Sequence, residues 1–226
     1  TNFCDGSNGW GSDPHNARTL VEHAIALADP DVDFSEYDND GDGDVDAIII
    51  VHAGYAFEES GSSCHIHSHQ GYVNVWTDGV AIHPYTIQPE ESWLNEGLVQ
   101  IGIFCHEFGH ILDLPDFYDY DYSSWGIGDW GLMGLGNYNG NSARPASLSA
   151  WCKKQLGWLE PVHVTGNLIA ADLPAASTEP VAYRLWRQGM NETEYFLVEN
   201  RQKIGFDNYL PGEGILVWHI DDAVYG

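Results

Sequence analysis

His106-Glu107-Phe108-Gly109-His110, running on through Leu112-Asp113-Leu114-Pro115-Asp116, is the stretch on which the reading of this chain turns. On a helix of about 3.6 residues per turn, side chains four positions apart stand one above the other, so His106 and His110 share a face. Two imidazoles so placed can hold a zinc ion, with Glu107 beside the open coordination position. A carboxylate there can take a proton from an activated water and hand it on to a leaving group. Taken alone the pentapeptide is a weak signal, because a helix can carry two unrelated histidines at this spacing.

The residues downstream of the pentapeptide strengthen it. Such a centre needs a third protein ligand. A glutamate on a later helix is one solution, but no Glu occurs between Glu107 and Glu160. The other is a donor just past a sharp turn. Pro115 ends a helix and Asp116 comes at once after it, so Asp116 is the expected third ligand, with Asp119 and Asp121 as rivals. Trp125-Gly126-Ile127-Gly128-Asp129-Trp130-Gly131-Leu132-Met133-Gly134 comes next, and Met133 is one of only two methionines in the chain. A methionine in a turn at this place is similar to the Met-turn beneath the metal of metzincin proteases. Elsewhere it would read as core filler.

Several further segments resemble one family, the immune inhibitor A type of secreted metallopeptidase. They are Val51-His52-Ala53-Gly54 and its preceding acidic loop, His106 to Tyr118, and Trp130-Gly131-Leu132-Met133. Beyond them stand Ser147-Leu148-Ser149-Ala150-Trp151, Leu156-Gly157-Trp158-Leu159, Glu194 to Arg201, Pro211-Gly212 and Trp218-His219-Ile220-Asp221. The resemblance implies an α+β, zincin/metzincin-like catalytic domain with an active-site helix, followed by a β-rich C-terminal segment. It also implies a secreted zinc endopeptidase with Glu107 as general base and protein or peptide substrates. One departure is local: metzincins have Gly where Asp113 stands, and that Gly turns the chain through a left-handed conformation.

Asp38-Asn39-Asp40-Gly41-Asp42-Gly43-Asp44-Val45-Asp46 matches the first three-quarters of an EF-hand loop, with Asp38, Asp40 and Asp42 at the first, third and fifth positions. Asp44 would add an oxygen, and Asp46 or a distant carboxylate would have to finish the shell, because Ile49 stands where the closing Glu belongs. A structural Ca²⁺ is expected; a solvated acidic turn is the alternative. His65, His67 and His69 alternate and would share one face of a strand. They read as polar residues near a cleft, with a second metal site as the lesser reading. Tyr138 is a candidate donor to a tetrahedral transition state. Asn191-Glu192-Thr193 has the spelling of a glycosylation sequon.

Charge bounds the partners. Eight basic against 34 acidic residues leave a net charge of −26. Nucleic acid is excluded, since nothing here would neutralise phosphates. No apolar run is long enough for a transmembrane segment. The N-terminus shows no basic and hydrophobic leader, so a mature portion of an exported precursor is expected. Cys4, Cys64, Cys105 and Cys152 form no zinc pattern, and in an exported protein they read as two disulfides whose pairing the sequence leaves open.

Element by element, a helix is expected over 17–28 with Leu20, Ala24, Leu27 and Ala28 inward, a buried strand over 47–51, short strands at 73–76 and 80–82, and helices over 97–112 and 147–156. From Val162 the texture turns to strands at 181–186, 194–199 and 214–219. This divides the chain into a zinc metallopeptidase domain, residues 1–160, and a β-rich extension or second module, 161–226. Two rivals remain open: an inactive, calcium-stabilised binding or adhesion module, and a zinc hydrolase of non-peptide substrates.

Overall fold

The computed structural model describes residues 3–121, 123–186 and 193–224. The Asn191-Glu192 part of the sequon lies outside them. The chain mixes helix and strand and divides into two compact units, Thr1–Asp113 and Leu114–Gly226.

The first unit opens with helix α1 (Ala17–Ala28), whose Asn16 cap accepts a hydrogen bond from the Thr19 amide at 2.8 Å. Its buried stripe runs through Ala17, Val21 and Ile25, while Leu27 is 80% exposed. The expected face is thus rotated: the β-branched pair at i and i+4 enters the core, with Leu20 and Ala28 at its margin. The sheet is built around one long strand. Strands β1 (Asp44–Val45) and β2 (Ile48–His52) precede the short helix α2 (Phe57–Ser60), then come β3 (His69–Thr77) and β4 (Val80–Pro89). β1 and β2 run parallel to successive stretches of β4, and β3 runs antiparallel to it with a bulge between Tyr72 and Val75. Asp78 and Gly79 both have positive φ, 51° and 83°, which gives the tight hairpin a twist matched to its strands.

The strand expected to be fully buried is not. In β2, Ile48 and Ile50 pack against the core, whereas Ile49 and Val51 are 49% and 53% exposed. Among the described residues β2 pairs with β4 alone, so an aliphatic run that reads as central is an edge strand with one open face. A two-residue pair, β5 (Glu91–Ser92) with β6 (Gly97–Leu98), leads into helix α3 (Ile101–Ile111). That pairing is why the helix starts later than its apolar pattern, which already begins at 97.

The second unit begins with a long irregular stretch containing two short 3-10 turns, Gly128–Trp130 and Leu135–Tyr138. Helix α4 (Ala150–Gln155) comes next, capped by Ser149 and burying Ala150 and Cys152. Strands β7 (Val162–His163), β8 (Tyr183–Leu185), β9 (Glu194–Arg201) and β10 (Gly214–Asp221) then form a sheet in the order β10-β9-β8-β7. Ala150, Leu159, Ala182, Tyr195 and Leu197 make one apolar cluster. Residues on both sides of Glu160 therefore share this core. Beside that core Arg201, fully buried, donates to Asp207 at 2.8 Å and to Glu199 at 3.4 Å.

All four cysteines carry free thiols, unlike the two disulfides expected. Cys152 is sealed in the α4 core, where the Ser149 hydroxyl donates to its sulfur, and burial lifts its thiol to about 11. Among the described residues no helix is long and apolar enough to cross a membrane.

Candidate metal centre

Helix α3 buries a face made of Gly102, Ile103, His106, Glu107 and Gly109, with Phe104 and Ile111 half-buried beside it and Ile101 exposed at its start. His106 is 5% and Glu107 6% exposed. The His106 and His110 rings stand edge to face with centroids 5.0 Å apart, as the one-turn offset requires. The helix then stops abruptly. Asp113 has φ +60°, and its amide donates to the His110 carbonyl at 3.0 Å. The left-handed turn usually given to glycine is made here by aspartate, whose short side chain tolerates it.

Beyond that turn the chain delivers Asp116. One ligand atom each from His106, His110 and Asp116 lie within 4.8 Å of one another. Two imidazole nitrogens and a carboxylate oxygen are a donor set suited to zinc, whose tetrahedral ligands sit ~3.3 Å apart, so small side-chain adjustments close the set on an ion. Asp116 Oδ2 accepts the Tyr120 hydroxyl at 2.9 Å. Burial, reinforced by that hydrogen bond, raises the Tyr120 phenol to about 12, so it remains a donor. Sequence reasoning did not single out Tyr120; its only signal there is its four-residue offset from Asp116.

The rivals for the third ligand are engaged elsewhere. Asp119 accepts from the Ser123 hydroxyl at 2.8 Å, from the Ser124 amide at 2.8 Å and from the Asp121 amide at 3.1 Å. These bonds, the Ser123 hydroxyl first, hold its carboxyl well below the usual carboxylate range. Asp121 caps the Ser123 amide at 2.8 Å. Both aspartates organise the turn after the histidine helix.

Met133 is fully buried, and its carbonyl accepts the Phe117 amide at 2.7 Å. The Ile127 amide in turn donates to the Phe117 carbonyl at 2.9 Å. A Cβ on Gly126 would lie 2.0 Å from that carbonyl oxygen, so the close approach requires glycine. Tyr138 ends a 3-10 turn and is 41% exposed.

In the acidic loop, Asp38, Asp40 and Asp42 bring ligand atoms within 4.8 Å of one another. Asp38 also accepts the amides of Gly41 at 2.8 Å, Asp42 at 3.1 Å and Gly43 at 3.0 Å. The two remaining acids stand apart from that group. Asp44 lies 3.7 Å from His83 Nε2, and Asp46 accepts from the Asn39 amide.

The three alternating histidines do not share a strand face. Only His69 belongs to β3, and each ring finds its own partner. His65 bonds Ser60 Oγ at 2.6 Å, His67 packs beside Phe57, and His69 stacks on Trp10 at 4.3 Å and bonds Tyr85 at 3.0 Å. The irregular backbone of 61–68 disperses them, and among the described residues they form no metal-holding group. Burial lowers His69 to about 4 and lifts Tyr85 to about 12.

Mixed helix and strand, with a ligand set carried by one helix and the turn after it, define the type of domain. Residues 4–159 match the family described as immune inhibitor A peptidase M6, catalytic domain, and the chain belongs to that family. It is 33% identical over 171 residues to Immune inhibitor A of Bacillus thuringiensis subsp. alesti, covering 60% of this chain and 24% of that protein. It is 35% identical over 80 residues to Pre-pro-metalloprotease PrtV of Vibrio cholerae serotype O1 (strain M66-2), covering 34% of this chain and 8% of that protein. The chain thus spans about a quarter or less of the length of these relatives.

Proposed function

We propose that this chain is the catalytic part of a secreted zinc endopeptidase of metzincin-like fold, with His106, His110 and Asp116 as zinc ligands and Glu107 as general base. The observation that carries the reading is the convergence of the two histidines and Asp116 within 4.8 Å, beside a nearly buried Glu107 on the same helix. Membership in a peptidase family and a relative named as a metalloprotease support it.

When bound, zinc supplies Lewis acidity, polarising a peptide carbonyl and making water a competent nucleophile near neutral pH. The chain's own groups do the rest. Glu107 takes the proton released as water attacks the carbonyl carbon and returns it to the departing amine nitrogen, so one carboxylate serves as base and then as acid. The Tyr120 hydroxyl fixes the orientation of Asp116 through its outer oxygen, the usual task of a group behind a metal ligand. Met133 closes the floor as the Met-turn, and Tyr138 is assigned as a donor to the developing oxyanion.

The catalytic domain is assigned to residues 1–160, with 161–226 as a β-rich extension; the family match ends beside that point, at Leu159. The Asp38–Asp46 loop is assigned a structural Ca²⁺, supported by the convergence of Asp38, Asp40 and Asp42. Incubation with a denatured protein tests the reading. Hydrolysis that a zinc chelator abolishes and added zinc restores is the expected result. A zinc-loaded chain that cleaves no protein would leave the binding-module or non-peptide reading in its place.

A further inference from the structure

The N-terminal segment is clasped to the turn before β3. The Ser7 amide closes a turn on the Cys4 carbonyl at 2.7 Å, which brings Cys4 back beside Ser7. The next residue, Asn8, is held on both sides: its amide donates to the Ser63 carbonyl at 3.1 Å, and its carbonyl accepts the His67 amide at 3.0 Å. Ser63 immediately precedes Cys64. The fit is close as well, since a Cβ on Gly9 would lie 3.2 Å from Ile66 and 3.3 Å from Ala17. Cys4 is half-buried at the edge of the main apolar cluster and Cys64 is exposed, so one sulfur is anchored and the other accessible. The thiols are near enough that a charge on Cys64 raises Cys4, after the larger effect of burial.

We propose that Cys4 and Cys64 are a disulfide-forming pair, oxidised by a low-molecular-weight disulfide of the glutathione class. The Cys64 thiolate attacks one sulfur of that reagent, forming a mixed disulfide and expelling a thiolate. The Cys4 thiolate then attacks the Cys64 sulfur, forming the Cys4–Cys64 bond and expelling the second thiolate. The protons of the two protein thiols end on the two expelled thiolates, and the reagent is reduced by two electrons. The crosslink closes a loop of about 60 residues and pins the irregular segment carrying Trp10, which lies over His69. It depends on no metal and no hydrolytic activity.

The test is a non-reducing peptide map of the full chain after incubation in a glutathione redox buffer and alkylation of remaining thiols. A linked Cys4–Cys64 peptide is expected, lighter by two hydrogens than its separate halves. The oxidised chain should also melt roughly 5–15 °C above the reduced one. Cys64→Ser should have lost most of that redox-dependent difference. Recovery of Cys4 and Cys64 as separately alkylated peptides from oxidised, natively folded protein would overturn the pairing, as would linkage of either to Cys105 or Cys152. The map reads the unmutated chain, so a poorly folding variant does not obscure the answer.

Discussion

Tyr120 donates its hydroxyl hydrogen to Asp116 Oδ2 across 2.9 Å, and the two residues are a helical turn's worth of sequence apart in a segment that is not a helix. The bond holds a carboxylate that brings a ligand atom within 4.8 Å of those of His106 and His110. Tyr120→Phe removes the hydroxyl and keeps the ring, so zinc affinity should fall about 10–100-fold. Competition against a chelator of known affinity measures this. An unchanged dissociation constant would mean that the hydroxyl orients nothing.

Asp116→Ala should cost far more zinc affinity than Asp119→Ala or Asp121→Ala. The first removes a proposed ligand; the other two remove caps from the Ser123 and Ser124 backbone. Zinc content after dialysis ranks the three variants, and a metal-free Asp119→Ala alongside a metal-loaded Asp116→Ala would reassign the ligand.

Glu107→Ala should keep its zinc and lose hydrolysis by about 10²–10⁴-fold, because the proposed proton carrier is not among the proposed ligands. Elemental analysis beside a turnover assay separates the two effects. Loss of the metal in this variant would move Glu107 into the ligand set.

The acidic loop should act on stability alone. If the proposed site binds calcium, the native chain should gain about 2.7 kcal/mol at a hundredfold excess over the dissociation constant, and Asp40→Ala with Asp42→Ala should remove that gain. Calcium-dependent melting of both proteins reads it. A double variant that keeps the full calcium response while its activity per folded molecule collapses would place the loop in the active site.

His69 gives a pH dependence of defined sign. Burial favours its neutral form and lowers the folded-state value to about 4, below the ordinary 6.5. As pH falls the unfolded chain therefore takes up the proton first. Stability from this group is complete above pH ~6.5 and is lost progressively down to about 4, about 3 kcal/mol in all. His69→Gln should flatten that part of the curve in urea titrations at stepped pH. A curve as steep as the parent's would assign the acid sensitivity to other groups.

The helix carrying His106 and His110 was legible because the one-turn offset of its histidines and its apolar pattern share one period, and Pro115 marks where it must end. Asp113 was legible as a departure, and its left-handed φ of +60° explains how the pattern survives without glycine. The misreadings share a cause, which is that periodicity states how residues alternate but not what covers them. Ile49 and Val51 read as core because nothing in sequence reveals that β2 has one neighbour among the described strands. His65, His67 and His69 read as one face because a period of two presumes a strand, and the chain there is irregular until His69. Tyr120 was hidden because its partner is set by an irregular stretch and not by a helical or strand period.

Phe117, the residue after Asp116, is gripped at both ends of its backbone, its amide by Met133 and its carbonyl by Ile127, over a glycine that admits no side chain, while its ring packs edge to face on Trp151. Phe117 and Gly126 thus form a neck tied by main-chain groups, and a Cβ at Gly126 would force it open while leaving every side chain of the candidate centre unchanged.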